Sequence, residues 1–298
     1  MINTISVKDA VQQKSVDSTY IILPFYKNSK PLESGKRWGM TLLKAGTMRF
    51  RWNETNPGRD EMLNSICNSI CNSICKVQKT VCTGSCSSEK NICDCKYQVV
   101  PLELIHSKDV IAVSEASDTL NLKADGIITS NSVLVPVVTV SDCVPLYFYD
   151  SNKSVFGVVH SGWKGTGIIG RAIELAVTKY NCSLENICVA IGPHIGQECY
   201  FVDEERAEYF VTGFGSKTIK KENGRNLLSL TEANLSVLKN AGVREENIVV
   251  AEDCTCCTTF DNGKNVFGSF RRQAAFLPPG LSADERSRSM TVQAAFVI

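Results

Sequence analysis

The chain of 298 residues has only three histidines, His106, His160 and His194, so any histidine-dependent site must draw on those three. It has no excess of either charge: 32 Lys and Arg face 31 Asp and Glu, for a formal net charge of +1. That balance removes the global electrostatic case for nucleic acid or an anionic membrane as a partner. No apolar run approaches the roughly 18 residues needed to cross a bilayer. The first residues lack the basic-then-apolar layout of a signal peptide, and the expectation is a cytoplasmic protein. No linker separates two globules, so one α+β domain is expected over residues 1–298, of mixed β-sheets flanked by helices with active-site residues at strand ends.

Cysteine, by contrast, is plentiful. Of 14 cysteines, seven fall from Cys67 to Cys95 and three more at Cys254, Cys256 and Cys257. In a small secreted chain they would suggest disulfides; here the setting points to thiols or metal ligands. Residues 64–75 read Asn-Ser-Ile-Cys three times over, which on a helix aligns Cys67, Cys71 and Cys75 in one slowly drifting stripe. An accessory metal or redox site is one role for this stretch. The other, favoured because it contains no C-x-x-C pair, is a duplicated tetrapeptide that lengthened a helix and a surface loop.

The chain is organised around residues 124–176. Two β-rich runs, 144–149 and 155–159, flank a turn-forming segment at 150–154, a strong hairpin signal. Folding about Asn152 makes residues whose numbers sum to 303–305 face each other. Cys143 and His160 then become direct or diagonal neighbours at the open end, about 5 Å apart at Cβ or somewhat more. A thiol and an imidazole at that range can share a metal or act as nucleophile and base. A buried Cys beside a hydrogen-bonded His is the plainer alternative. Asp142, preceding Cys143, either orients a catalytic group or caps the turn before Pro145. The glycine-rich segment 161–167 feeds an amphipathic helix at 167–180. Its free N–H groups near Gly167, with Lys164, suit an anion, although the glycines can equally serve close helix–sheet packing.

Elsewhere the pattern predicts strands at 20–26, 39–50 (with a break at Gly46), 97–105, 110–113, 127–129, 133–140, 187–191, 247–251 and 290–298. It predicts helices from about Asp60, at 203–211 and at 227–241.

The segments Ser-Asp-Cys-Val-Pro-Leu-Tyr-Phe-Tyr-Asp (141–150), Val-Val-His-Ser-Gly-Trp-Lys-Gly-Thr-Gly (158–167) and the Gly-Pro-His-Ile-Gly loop (192–196) with Cys199-Tyr200 resemble the laccase-domain family. Cys254-Thr255 and Ser269-Phe270-Arg271-Arg272 resemble that family's closing signatures. Members are called polyphenol oxidases in older usage and zinc-dependent purine nucleoside phosphorylases more recently. The resemblance runs from about Lys44 to the last residue, interrupted by a Cys-rich insertion at about residues 64–96. It implies zinc held by His106, Cys143 and His160, although the family's Gln-Val-His motif reads Leu104-Ile105-His106 here. Two imidazoles and one thiolate match catalytic zinc, which keeps a fourth position open. The resemblance also implies purine nucleosides and phosphate as substrates, with adenosine deamination as a second reaction, and leaves the oligomeric state open. Lys164, Gly167, Arg271 and Arg272 are the candidates for phosphate, His194 for a substrate contact, and Asp142, Cys143 and His160 for catalysis. Copper fits less well, because three histidines cannot furnish several His-rich copper centres. Two rivals stand beside this expectation: a metal-free Cys143–His160 hydrolase or amidase with the thiolate as nucleophile, and a non-catalytic binding module with a closed structural zinc site.

Overall fold

A computed structural model describes residues 1–78 and 97–298. The expectation for Cys82, Cys86, Cys93 and Cys95 lies outside the described residues. The strands run, in chain order, β1 Asn3–Ile5, β2 Tyr20–Pro24, β3 Tyr26–Lys27, β4 Lys30–Pro31, β5 Arg37–Thr41, β6 Gln98–Pro101, β7 Val110–Val113, β8 Gly126–Thr129 and β9 Leu134–Val140. They continue with β10 Val144–Asp150, β11 Val155–Ser161, β12 Ile187–Ile191, β13 Phe201–Val202, β14 Ile219–Glu222, β15 Arg225–Leu228, β16 Ile248–Ala251 and β17 Gln293–Val297. The α-helices are α1 Val7–Lys14, α2 Pro57–Gln78, α3 Ile168–Tyr180, α4 Glu204–Phe214, α5 Leu230–Asn240, α6 Phe270–Ala274 and α7 Ala283–Arg288.

Two mixed sheets dominate. A seven-stranded sheet has the order β1-β16-β12-β10-β11-β8-β7, and a five-stranded sheet the order β2-β5-β17-β9-β6. Strand periodicity explains how they stack, because successive side chains point to opposite faces. In β10, Tyr147 and Tyr149 point into a core shared with Trp38 and Met40 of β5, Val138 and Val140 of β9, and Ala295 and Val297 of β17. Leu146 and Phe148, alternating with them, pack with Ile169 and Ile173 of α3, Phe210 of α4 and Leu238 of α5. The outer face of the five-stranded sheet, through Val135, Val137 and Phe296, meets Leu63 and Ile66 of α2. The layers are therefore helices, sheet, sheet, helix. Both sheets are covered on each face, which is why their central strands lack a polar side.

Local sequence accounts for most boundaries. Asn56 Oδ1 accepts from the Arg59 N–H at 3.1 Å and Pro57 sits in the first turn of α2, where a missing N–H costs nothing. This helix carries the tetrapeptide repeat on to Gln78, with Cys67 buried beneath it; burial pushes the Cys67 thiol up to about 11 and keeps it protonated. Several expectations shift. The 39–50 strand ends at Thr41, with a 3-10 turn at Leu43–Ala45 and no strand beyond Gly46. The 97–105 strand stops at Pro101. The expected helix at 227–241 begins only at Leu230: Leu227 and Leu228 belong to β15, and Ser229 caps the helix by accepting from the Glu232 N–H at 3.1 Å.

Candidate metal centre

The β10–β11 hairpin sets the first two side chains. Val144 pairs with Ser161 and Pro145 with His160, so paired residue numbers sum to 305. Cys143 lies one step past the ladder, diagonal to His160, in the short crossover from β9 of one sheet to β10 of the other. His106 arrives from elsewhere, on the loop between β6 and β7, with a left-handed φ of 60°. The ligand atoms of His106, Cys143 and His160 all lie within 4.8 Å of one another. The two imidazoles meet edge to face, with ring centroids 4.9 Å apart. His160 is buried, Cys143 partly exposed and His106 exposed, so the group opens to solvent on one side.

Asp125, fully buried, holds the His160 ring and the His106 backbone in place. Its Oδ1 accepts from His160 Nδ1 at 2.9 Å and from the His106 backbone N–H at 2.9 Å. Its Oδ2 accepts from the Ser107 N–H at 2.6 Å and the Ser107 hydroxyl at 2.8 Å. Burial alone would raise this carboxyl, but His160 and Ser107 hold it below its usual range as a carboxylate. The same contest shapes the other two groups. Burial opposes the Cys143 thiolate, yet the facing His160 and His106 bring this thiol down to about 6. Burial opposes charge on His160, yet Cys143 and Asp125 lift it to about 9. Each shift favours the charged form, a thiolate facing an imidazolium with a carboxylate behind it.

The donor set fits a transition-metal ion. With Asp125 on Nδ1, His160 offers Nε2, the carboxylate–histidine pairing typical of metal sites. Gly162 leaves the space: a Cβ there would lie 3.2 Å from His106 Cδ2 and 3.3 Å from Cys143 Sγ. Bonds of about 2.0–2.3 Å to nitrogen and sulfur would draw the three donors only modestly closer.

A cleft of about 460 Å³ opens above the group, lined by His106, Cys143 and His160 together with Arg49, Phe50, Arg51, Leu104, Phe270 and Met290, among others. Arg49 is spent on Glu54, Asp284 and Ser287. Arg51 donates to the Leu104 carbonyl at 3.3 Å, and its charge helps hold the Glu103 and Asp284 carboxyls down.

The remaining residues singled out in the sequence lie elsewhere. Asp142, also left-handed at φ 78°, turns its carboxylate away to the Thr255 hydroxyl at 2.7 Å and the Arg271 N–H at 2.6 Å. It secures the cleft wall, and the carboxylate that orients His160 is Asp125. His194 is buried, with Nδ1 on the Gly192 carbonyl at 2.8 Å and Nε2 on Thr231 Oγ1 at 2.9 Å, so neither ring nitrogen is left for a substrate. Arg272 donates to the carbonyls of Thr255, Cys256 and Phe267 and serves as a loop brace. Arg271 lies over the rings of Phe201 and Tyr200. Lys164 is exposed, with Nζ 5.3 Å from the Trp163 ring centroid, and Gly167 caps α3 at φ 104° beside Lys108. None of these six lines the cleft over the triad. The sequence pattern alone does not single out Asp125 or Arg51. An acid between Ala124 and Gly126, leading straight into a wholly buried strand, was the available signal for Asp125.

Comparison with known proteins agrees with this architecture. The chain is 33% identical over 166 residues to "Purine nucleoside phosphorylase YlmD" of Geobacillus stearothermophilus, covering 51% of this chain and 59% of that protein. It is 32% identical over 163 residues to "Adenosine deaminase RL5" from an unknown prokaryotic organism, covering 50% and 62%. To human "Purine nucleoside phosphorylase LACC1" it is 30% identical over 138 residues, covering 45% and 32%. The matched stretch is thus less than two thirds of each of these relatives. The crystal structure of YlmD from Geobacillus stearothermophilus superposes with a TM-score of 0.64 at 24% identity, covering 89% of this chain and 92% of that one. A Bacillus licheniformis hypothetical protein, YfiH, superposes equally well at 22% identity, covering 88% and 92%. The profile of the family described as "Multi-copper polyphenol oxidoreductase laccase" matches residues 65–276, and the chain belongs to that family.

Proposed function

We propose that this protein is a zinc-dependent purine nucleoside phosphorylase that also deaminates adenosine. The observation that carries this is the convergence of His106, Cys143 and His160 at the base of a cleft that Arg51 also lines. Zinc suits two imidazoles and one thiolate with an open position, and when bound it supplies Lewis acidity and acidifies water at the cleft floor. The chain's own groups divide the remaining work. Asp125 fixes the His160 ring and Gly162 keeps the approach clear. Arg51 is placed to bind an anion such as phosphate. Phe50 and Phe270 offer aromatic surface for a flat base. Lys164 and Arg271 are the secondary candidates for phosphate. The names of the similar proteins support the same substrate class. The proposal takes residues 1–298 as one domain, supported by β1 beside β16 and by β17 between β5 and β9.

One observation favours a second reading. Cys143, His160 and Asp125 also form a thiol–imidazole–carboxylate series, the arrangement of a metal-free cysteine nucleophile. A single experiment separates the two. Metal-quantified protein is incubated with adenosine, inosine and methylthioadenosine, with and without phosphate. Zinc-loaded protein should release free base only with phosphate and ammonia from adenosine without it. Full turnover by metal-stripped protein would establish the nucleophile instead, and no consumption of any nucleoside by zinc-loaded protein would refute both reactions.

A further inference from the structure

A second group of converging ligands stands outside the triad. The Sγ atoms of Cys199, Cys254 and Cys257 all lie within 4.8 Å of one another. Cys199 closes the 3-10 turn Gln197–Cys199 ahead of β13, while Cys254 and Cys257 follow β16 with two residues between them. All three are free thiols.

The two loops that carry them are built for each other. His194 and Cys254 form an isolated parallel bridge, and the Thr255 N–H donates to the His194 carbonyl at 2.9 Å. The Gly196 N–H donates to Cys254 Sγ at 3.0 Å, and a Cβ at Gly196 would stand 3.3 Å from that sulfur. Asp253 anchors the start of its loop by accepting from the Lys8 N–H at 3.0 Å, and Arg272 grips the carbonyls of Thr255 and Cys256.

Cys257 shares hydrogen bonds with both Cys199 and Cys254, so the three sulfurs already face one another. A thiophilic cation would displace the thiol protons to solvent and take the three sulfurs as ligands. Zinc–sulfur bonds of about 2.3 Å place neighbouring sulfurs roughly 3.8 Å apart, a small contraction from the present limit. We propose that Cys199, Cys254 and Cys257 form a second metal site, a three-thiolate cradle for a thiophilic d10 ion, zinc or cuprous copper, separate from the His106–Cys143–His160 centre. The site staples the Gly192–Gly196 loop to the loop whose Thr255 holds Asp142.

The test counts metal in the full chain. Wild type, Cys199→Ser, Cys257→Ser and the control Cys182→Ser are equilibrated anaerobically with zinc, or with cuprous copper against a chromophoric competitor, and bound metal is measured per chain. The first two variants should each bind one equivalent less than wild type of the ion the cradle prefers, and the control should match wild type. Cobalt-loaded Cys257→Ser should show weaker thiolate-to-metal charge-transfer absorption. Cys257 is exposed, so a second measurement covers any variant that fails to fold: metal should protect Cys199, Cys254 and Cys257 of wild type from alkylation, and a chelator should restore reactivity. Equal metal counts in folded wild-type and variant proteins, or alkylation of these thiols indifferent to metal, would overturn the proposal.

Discussion

Asp125 Oδ1 stands 2.9 Å from His160 Nδ1, and through the same oxygen it accepts the backbone N–H of His106 at 2.9 Å. One buried carboxylate therefore sets the ring orientation of one candidate ligand and the backbone of another. The two histidines are 54 positions apart in the chain, and this carboxylate bridges the segments that carry them.

Asp125→Asn should consequently loosen the centre without removing a ligand. Carboxylates bonded to ligating histidines typically account for about 10–100-fold in metal affinity. We expect a loss of that size in competition with a chromogenic chelator. His160 should also lose the part of its upward shift that Asp125 supplies, Cys143 keeping the rest, visible as an imidazole that titrates lower in the metal-free variant. An unchanged affinity would mean that the β10–β11 hairpin alone fixes His160.

Gly162→Ala probes the space between the ligands. The added methyl would meet His106 Cδ2 at 3.2 Å and Cys143 Sγ at 3.3 Å, so these side chains must retreat by a few tenths of an ångström. Metal affinity should fall by about tenfold or more while the urea midpoint moves little, because the displaced groups border the open cleft. A large drop in midpoint with unchanged affinity would place the strain in the fold.

Phosphorolysis and deamination should separate on mutation. Arg51→Ala removes a charge-assisted contact worth about 1.5–3 kcal/mol, roughly ten- to hundredfold in phosphate-dependent turnover. Deamination, whose co-substrate is water, should fall much less. Lys164→Ala and Arg271→Ala, away from the cleft lining, should cost less than Arg51→Ala. Cys143→Ala should abolish both reactions together with the bound metal. Equal losses of both reactions in Arg51→Ala would reassign this arginine to the nucleoside.

Lys36 supplies a pH-dependent term in stability. Its Nζ donates to the Ser132 carbonyl at 2.8 Å and lies 4.0 Å from the Phe156 ring centroid; burial lowers it from 10.5 to about 8. Between those values the unfolded chain holds a proton that the folded chain lacks, so this residue's contribution makes stability rise with pH. The rise is at most about 3 kcal/mol. Lys36→Met should be the more stable protein at pH 7, with the difference from wild type shrinking from pH 8 to pH 10.5 in urea unfolding. A constant difference across that window would show that Lys36 titrates as an exposed amine.

The residues alone determined whatever depends on short-range order. The turn at 150–154 between two apolar runs set a hairpin whose partners sum to 305, and with it the approach of Cys143 to His160. The same local logic located β7, β8, β12 and α3, and the tetrapeptide repeat as helix to Gln78. Tertiary structure alone decided the rest. His106 joins the pair because its loop is drawn onto Asp125, a contact across 19 residues that no periodicity encodes. Asp142 beside Cys143 turned outward, while Asp125, 18 residues away in sequence, took the place against His160. Arg51 reached the cleft, and Cys199 reached Cys254 and Cys257, only because covered sheets and their loops brought distant segments together. Hydrophobic alternation specifies which face of a strand is buried, but not which other segment covers it. The chemistry of this protein sits where those coverings meet, at the ends of strands from different layers.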